Sequence, residues 1–312
     1  MTFRIARSNG FARFTLAALV WNVVVILWGV FLRASKSGDG CGQHWLTCHG
    51  EVIPSAPELK TVIEFSHRVT SFIALLLVVM MAVWAFRKFA KGSPIRKTAV
   101  GSVVFILTEA LVGAGLVLTG NTAETLTAAR PFWMAGHLLN TFILLAFLTL
   151  TFRYATGAGP MSFRVEMKYL AAILAGIVGI VIVGTSGSIA ALSNMIFPSE
   201  TLAEGLAKDL SPASNVLVKL RLLHPVSSIL IGVGLVFLSG WLRRASDDDT
   251  AVRKWSDRLS VLVLIQLAFG AATLLMLGPI VMQLGHLLLA DLIWISFVML
   301  SASFLAKQHQ MG

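Results

Sequence analysis

The sequence predicts an all-α membrane protein: eight transmembrane helices arranged as two parallel-repeat four-helix bundles. Three observations carry that prediction. The 312-residue chain is 56% hydrophobic and only 13% charged, with a mean hydropathy of +0.82. Its apolar residues gather into runs of about 20, the length a helix needs to cross the hydrocarbon core. The second half of the chain also repeats features of the first.

The elements follow in order. The first run covers roughly 14–33 and ends in Phe31, Leu32 and Arg33 without a small-residue cleavage site, so it reads as a retained span rather than a signal peptide. A long loop, 34–60, comes next; its stretch Ser35-Lys36-Ser37-Gly38-Asp39-Gly40 is too polar to form a packed core alone. Runs at roughly 61–86, 98–119 and 131–153 complete an N-terminal bundle, 1–153. Residues 154–168 contain Gly157, Gly159 and Pro160 and read as a flexible cytoplasmic linker. The C-terminal bundle, 169–312, holds runs at roughly 169–190, 217–241, 258–277 and 281–305. Its own long loop, 191–216, is marked by Pro198 and Pro212.

A net charge of +10 on a soluble protein would suggest nucleic acid, but its distribution here excludes that. With both termini inside, the inner segments carry 17 Lys and Arg, among them Arg4, Arg7, Arg87, Lys88, Arg243 and Arg244. The outer segments carry seven, Arg33, Lys36, Lys60, Arg130, Lys208, Lys219 and Arg221, and Arg68 lies within a span. This asymmetry orients the chain by the positive-inside rule, with basic residues facing cytoplasm and anionic membrane lipid. The expected location is a bacterial inner membrane, crossed many times, with both termini cytoplasmic.

An offset of 157 residues places His67 on His224, Glu109 on Gln266, Gly113 on Gly270 and Ala114 on Ala271. After one loop-length difference, an offset of 149 places Gly136-His137-Leu138-Leu139 on Gly285-His286-Leu287-Leu288. An even number of spans per half gives both copies the same orientation.

The repeat brings out four histidines, His67, His137, His224 and His286, each about six residues past the start of its apolar run. Imidazole is costly in hydrocarbon without a partner, which makes an intramembrane histidine a functional residue by default. Within each half the second and fourth spans run the same way, so their histidines share a depth about 10 Å in from the outer end. Two facing imidazoles in a bundle core suit the two axial positions of a haem iron. Zinc fits less well, because it gathers about four ligands with thiolate or carboxylate among them. His44, His49 and His309 lie in loops or the tail and lack such support.

Carboxylates within the spans are few. Glu64 precedes His67 by three residues, hence shares its helix face, and is placed to pass protons or to pair with Arg68. Glu109 lies mid-membrane with no evident partner, and Asp291 sits about 140° round its helix from His286. Arg68, Arg130 and Arg221, near the outer face, are candidates to meet haem propionates, with solvated helix ends the alternative. Cys41 and Cys48 share the first outer loop, where a structural disulfide, a redox-active pair and a metal site with His44 and His49 all remain open. The glycines Gly113, Gly115, Gly176, Gly179, Gly232 and Gly234 permit close approach of helices or of a flat ligand, ordinary packing being the commoner use.

Taken together, these residues resemble a known family. Glu64-Phe65-Ser66-His67-Arg68 is similar to the Glu-x-x-His-Arg signature of haem A synthases. Arg33, Ser35, Ser37-Gly38, Cys41, Trp45, Cys48, Gly50 and Pro54 follow that family's first loop. Gly136-His137, Leu223-His224-Pro225 and Gly285-His286 match its later histidine helices. Between the cysteines this chain reads Gly42-Gln43-His44-Trp45-Leu46-Thr47, where the family often has Pro-Asp-Trp-Pro after the first cysteine, and the second outer loop lacks a cysteine pair that some members carry.

The resemblance implies an oxidoreductase that converts haem O to haem A, turning the C8 methyl into a formyl group through hydroxylated intermediates, for use in terminal oxidases. It implies that His67 and His137 bracket the substrate haem and that His224 and His286 hold a permanent haem b. Glu64 becomes the catalytic carboxylate, and Cys41 and Cys48 a disulfide. Haem O synthase and an unidentified electron donor are the implied partners. The alternative reading of the same histidines is a two-haem electron-transfer cytochrome. That reading leaves Glu64 without a task and both pairs near one face, whereas a transmembrane relay would stagger them. A transporter, the third reading, expects broken helices with midplane polar sites.

Overall fold

A computed structural model describes residues 10–122, 127–247 and 249–311. Arg4 and Arg7 lie outside the described residues, as does the side chain of His309. The described residues form ten helices: α1 Gly10–Ala34, α2 Leu59–Lys88, α3 Pro94–Leu118, α4 Arg130–Ala155, α5 Met167–Ile196, α6 Leu202–Leu210, α7 Val216–Leu220, α8 Leu223–Arg244, α9 Thr250–Leu275 and α10 Ile280–Met311. Among the described residues the only extended pairing is an isolated bridge between Cys48 and Glu51. Eight segments of them are long and apolar enough to cross a membrane, with α7 and α8 together forming the sixth.

The helix surfaces agree with that reading. Phe72, Leu111, Leu230 and Phe237 are exposed along the spans, and large apolar side chains displayed this way need lipid rather than water beside them. The protein is a multi-pass membrane protein.

The helices pack in a regular scheme. In the N-terminal half α1 meets α2, α2 meets α3, α3 meets α4 and α4 closes back on α1; in the C-terminal half α5 meets α8, α8 meets α9, α9 meets α10 and α10 touches α5. The halves join through α4 on α5, α10 on α4 and α1 on α10. α10 therefore lies at the centre and is the most buried span, while α9 is the least buried. Trp294 of α10 stacks on Phe142 of α4 with ring centres 5.3 Å apart. Its indole N–H donates to the Phe142 carbonyl at 2.7 Å. The inner segment 156–166 is tied down as well: Arg153 donates to the Gly159 carbonyl at 2.9 Å and the Ser162 N–H to the Leu305 carbonyl at 3.1 Å.

Two elements depart from the sequence expectation. The second outer loop contains a helix, α6, because Thr201 caps it through the Glu204 N–H at 3.2 Å while the Glu204 carboxylate accepts the Glu200 N–H at 2.8 Å. That reciprocal arrangement is close to a capping box, and Thr201-x-x-Glu204 is its legible sign. The sixth span is also not continuous. Pro225 has no N–H to offer the Arg221 carbonyl, which accepts instead from the His224 N–H at 3.3 Å, and the helix restarts as α8. His224 thus stands in the first turn of α8, directly after a break.

Candidate functional site

The first outer loop packs onto the outer end of α2. The Cys41 N–H donates to Glu64 Oε2 at 2.8 Å, and the Thr61 hydroxyl donates to the Gly40 carbonyl at 2.6 Å. Gly40 sits so tightly that a Cβ there would lie 2.3 Å from the Lys60 carbonyl oxygen, so no other residue fits without moving the chain. Cys41 and Cys48 form a disulfide. That bond removes both thiolates from the metal-site alternative and leaves a buried staple, with Cys41 0% and Cys48 1% exposed.

Glu64 is 3% exposed and pairs with Arg68, whose Nη2 lies 2.5 Å from Glu64 Oε1. Arg68 also donates to the carbonyls of His44 at 2.7 Å and Thr47 at 2.8 Å. Both residues therefore bind the loop to the helix on which His67 stands. Arg221, the offset equivalent of Glu64, does the same for the second loop. It pairs with Asp209 and donates to Asn194 Oδ1 at 3.0 Å and the Gly205 carbonyl at 3.0 Å. Its guanidinium is thus committed to protein groups. Arg130 is 3% exposed at the outer end of α4 and lies near Arg33.

All four histidines are half-buried by area although they sit inside the bundles, so one side of each ring borders open space. Among the described residues His67 Nδ1 and His286 Nδ1 are buried without a hydrogen-bond partner. His137 Nδ1 lies 3.2 Å from Glu109 Oε1, at an angle short of a straight hydrogen bond. His224 Nδ1 lies 3.2 Å from the Val183 carbonyl and 3.4 Å from the Ser186 hydroxyl. Gln266 Nε2 approaches His286 Nε2 at 3.4 Å and donates to its carbonyl at 3.0 Å.

The structure brings His224 and His286 together and sets His67 within electrostatic range of His137. The ring centres of His224 and His286 are 6.0 Å apart with their planes at 86°. Imidazole nitrogens bind a metal at about 2 Å, so two rings on opposite faces of one ion have centres about 6 Å apart. His67 and His137 stand close enough to interact electrostatically. No group of three or more His, Cys, Asp or Glu side chains gathers as a metal site among the described residues. Two nitrogens to an ion, a spacing that leaves room for a flat macrocycle, and orphaned ring nitrogens fit haem.

Several residues of the site were not singled out by sequence. Glu109 itself was noted, but its partners were not: besides His137 it accepts from Asn140 Nδ2 at 2.5 Å and from the Thr141 hydroxyl. Asn140 and Thr141 follow His137 by three and four residues, and that spacing is the signal that could have found them. Glycines make room for the rings. A Cβ at Gly29 would lie 3.1 Å from His67 Cε1, at Gly187 2.8 Å from His224 Cε1 and at Gly270 2.9 Å from His286 Cε1. Of the glycines noted in the sequence, Gly176 and Gly179 abut Phe297 and Ile231, Gly115 abuts Trp133, and Gly113 and Gly234 have open space beside them. Asp291 is 1% exposed on the central helix, and its Oδ2 has no hydrogen-bond partner among the described residues.

Eight apolar spans with half-buried histidines among them define a multi-pass helical membrane protein with intramembrane imidazoles. Comparison with known proteins narrows the class. The chain matches the COX15-CtaA family, cytochrome oxidase assembly protein, over residues 12–298, and belongs to that family. It is 31% identical over 279 residues to the Heme A synthase of Halalkalibacterium halodurans, a match covering 87% of this chain and 89% of the relative. It is 41% identical over 304 residues to a Thermus thermophilus protein named Protoheme IX farnesyltransferase, covering 96% of this chain. The chain spans about half the length of that relative, at 50%.

Proposed function

We propose that this protein is an oxidoreductase of haem A biosynthesis that converts the C8 methyl of haem O to a formyl group. The observation that carries this reading is the meeting of four intramembrane histidines in two pairs, with the glutamates of the spans, Glu64 and Glu109, confined to the N-terminal pair. The match with a Heme A synthase over most of both chains supports it.

In this reading His67 and His137 hold the substrate haem and His224 and His286 a resident haem b. Bound haem supplies one-electron chemistry. The chain supplies the rest. The glycines at 29, 187 and 270 leave the imidazoles room to present a nitrogen to the metal. Glu64, fixed by Cys41 and Arg68, accepts and releases protons at the outer end of the N-terminal site. With water as the oxygen source, methyl to formyl releases as many protons as electrons, so a carboxylate next to the outer loop gives the protons a way out. The disulfide keeps the loop seated over that carboxylate.

The substrate would come from a haem O synthase, and electrons would leave to or arrive from a separate donor or acceptor. Half of the Thermus relative lies outside the match, and its name is that of an enzyme acting on protohaem IX. A farnesylating neighbour that hands over haem O suits that arrangement.

The test is expression with haem O available, followed by chromatography of the extracted haems. Haem A or a hydroxylated intermediate is expected. Haem b alone under active conditions would favour an electron-transfer cytochrome. Tracing labelled dioxygen or labelled water into the formyl group would identify the oxygen source.

A further inference from the structure

The two ligands of the N-terminal pair are supported unequally. Glu109 on α3 faces His137 on α4, and its carboxylate is itself held: Asn140 Nδ2 donates to Oε2 at 2.5 Å and the Thr141 hydroxyl to Oε1. Asn140 is fixed in turn, accepting from the Thr108 hydroxyl at 2.6 Å and donating to the Phe105 carbonyl at 2.8 Å. Among the described residues His67 has no such arrangement. Neither His67 Nδ1 nor His137 Nδ1 makes a straight hydrogen bond, but only His137 Nδ1 has a carboxylate oxygen beside it, at 3.2 Å, and the His67 ring rests on the bare backbone of Gly29.

The C-terminal half lacks the network. By the same offsets Thr108 corresponds to Ile265, Glu109 to Gln266, Asn140 to Leu289 and Thr141 to Ala290. All four polar members are replaced, three of them by apolar residues. A hydrogen-bonded polar set found in only one of two repeats answers to a task that only that repeat performs.

We propose that Glu109 is a positioning residue that makes His137 the retained axial ligand of the N-terminal haem and leaves His67 as the ligand that yields. This rests on the reading that the N-terminal half holds the substrate haem. A carboxylate beside the outer ring nitrogen of a metal-bound imidazole fixes the ring's orientation and raises its strength as a ligand. An unsupported imidazole is the weaker of the two and releases first. The unequal pair thus determines which face of the haem opens, and that face is the one beside Glu64 and the disulfide loop, since His67 and Glu64 share α2.

The experiment uses the full-length protein in detergent, titrated with protohaem IX, with haem per chain, midpoint potentials and absorption spectra recorded. His137→Ala is expected to lose the N-terminal haem, while His67→Ala keeps it with changed axial ligation. Glu109→Gln is expected to weaken N-terminal haem binding about ten- to a hundred-fold. It should also raise that haem's potential and leave the C-terminal haem unchanged, and Glu109→Asp should restore most of both. Thr141→Ala, a gentler change, should shift the potential the same way by less and covers the case in which Glu109→Gln does not fold. An unchanged N-terminal potential and spectrum in Glu109→Gln or Thr141→Ala would overturn the assignment, as would retention of haem by His137→Ala with loss from His67→Ala. A wild-type protein that binds no haem between these histidines would overturn the functional reading itself.

Discussion

The two halves of this molecule share a plan and differ in charge at equivalent places. Position 64 in the first half is a glutamate that accepts from its outer loop, and position 221 in the second is an arginine that donates to its own. One turn further in, both halves present a histidine. Position 109 is a carboxylate held by Asn140 and Thr141, whereas position 266 is a neutral amide whose half carries Leu289 and Ala290 at the equivalent places. The second half instead secures His224 through the Val183 carbonyl. The two halves keep histidines at equivalent places and differ in what surrounds them. Under the proposed function, the half that sets Glu64 and Glu109 beside its histidines is the one equipped to move protons.

The largest expected effect separates the two loop anchors. Glu64→Ala should abolish formation of haem A and its hydroxylated intermediates while haem remains bound, read by chromatography and absorbance; retained conversion would remove Glu64 from the chemistry. Arg221→Ala should instead act on stability. Breaking a buried ion pair and stranding Asp209 costs on the order of 3 kcal/mol, seen as a lower melting temperature and looser C-terminal haem, with any remaining folded protein still catalytic.

The glycines sharpen the comparison at a smaller scale. Gly113 and Gly270 are offset equivalents, yet a Cβ at Gly113 meets nothing within 4 Å, whereas at Gly270 it meets His286 Cε1 at 2.9 Å. Gly270→Ala should therefore lower C-terminal haem occupancy in a haem titration, and Gly113→Ala should leave both sites as they are. Equal effects would mean that the rings are not seated as described. Replacing Cys41 and Cys48 by serine opens a short loop and should destabilise the outer region of the N-terminal half by about 2 to 3 kcal/mol. This is measurable as earlier thermal loss of the N-terminal haem, because the second loop has no such staple to lose.

Most of the fold was legible because a bilayer imposes long apolar runs, and a run of that length admits few other readings. The four histidines stood out because the repeat places His67 on His224 and His137 on His286, and the common direction of the second and fourth spans suggested which two would share a depth. The break before α8 was harder to see, since it depends on which carbonyl Pro225 fails to serve, and an apolar run looks continuous through it. The short helix α6 was missed for a different reason: its amphipathic turns lie in a polar loop, where Thr201 and Glu204 are the signal and hydropathy is not. The partners of Glu109 stayed hidden because Asn140 and Thr141 lie on another helix, and only packing of α3 on α4 brings them to the carboxylate. Gly29 and Gly187 likewise gain meaning only from the ring placed opposite them.

Whether paired imidazoles from each half grip a haem iron is tested most directly by low-temperature electron paramagnetic resonance of the oxidised, haem-loaded protein. Low-spin signals of bis-histidine haem are predicted, one of which disappears on His224→Ala while the other persists. A colourless protein after loading, or a spectrum unchanged by replacing His224, would contradict that grip.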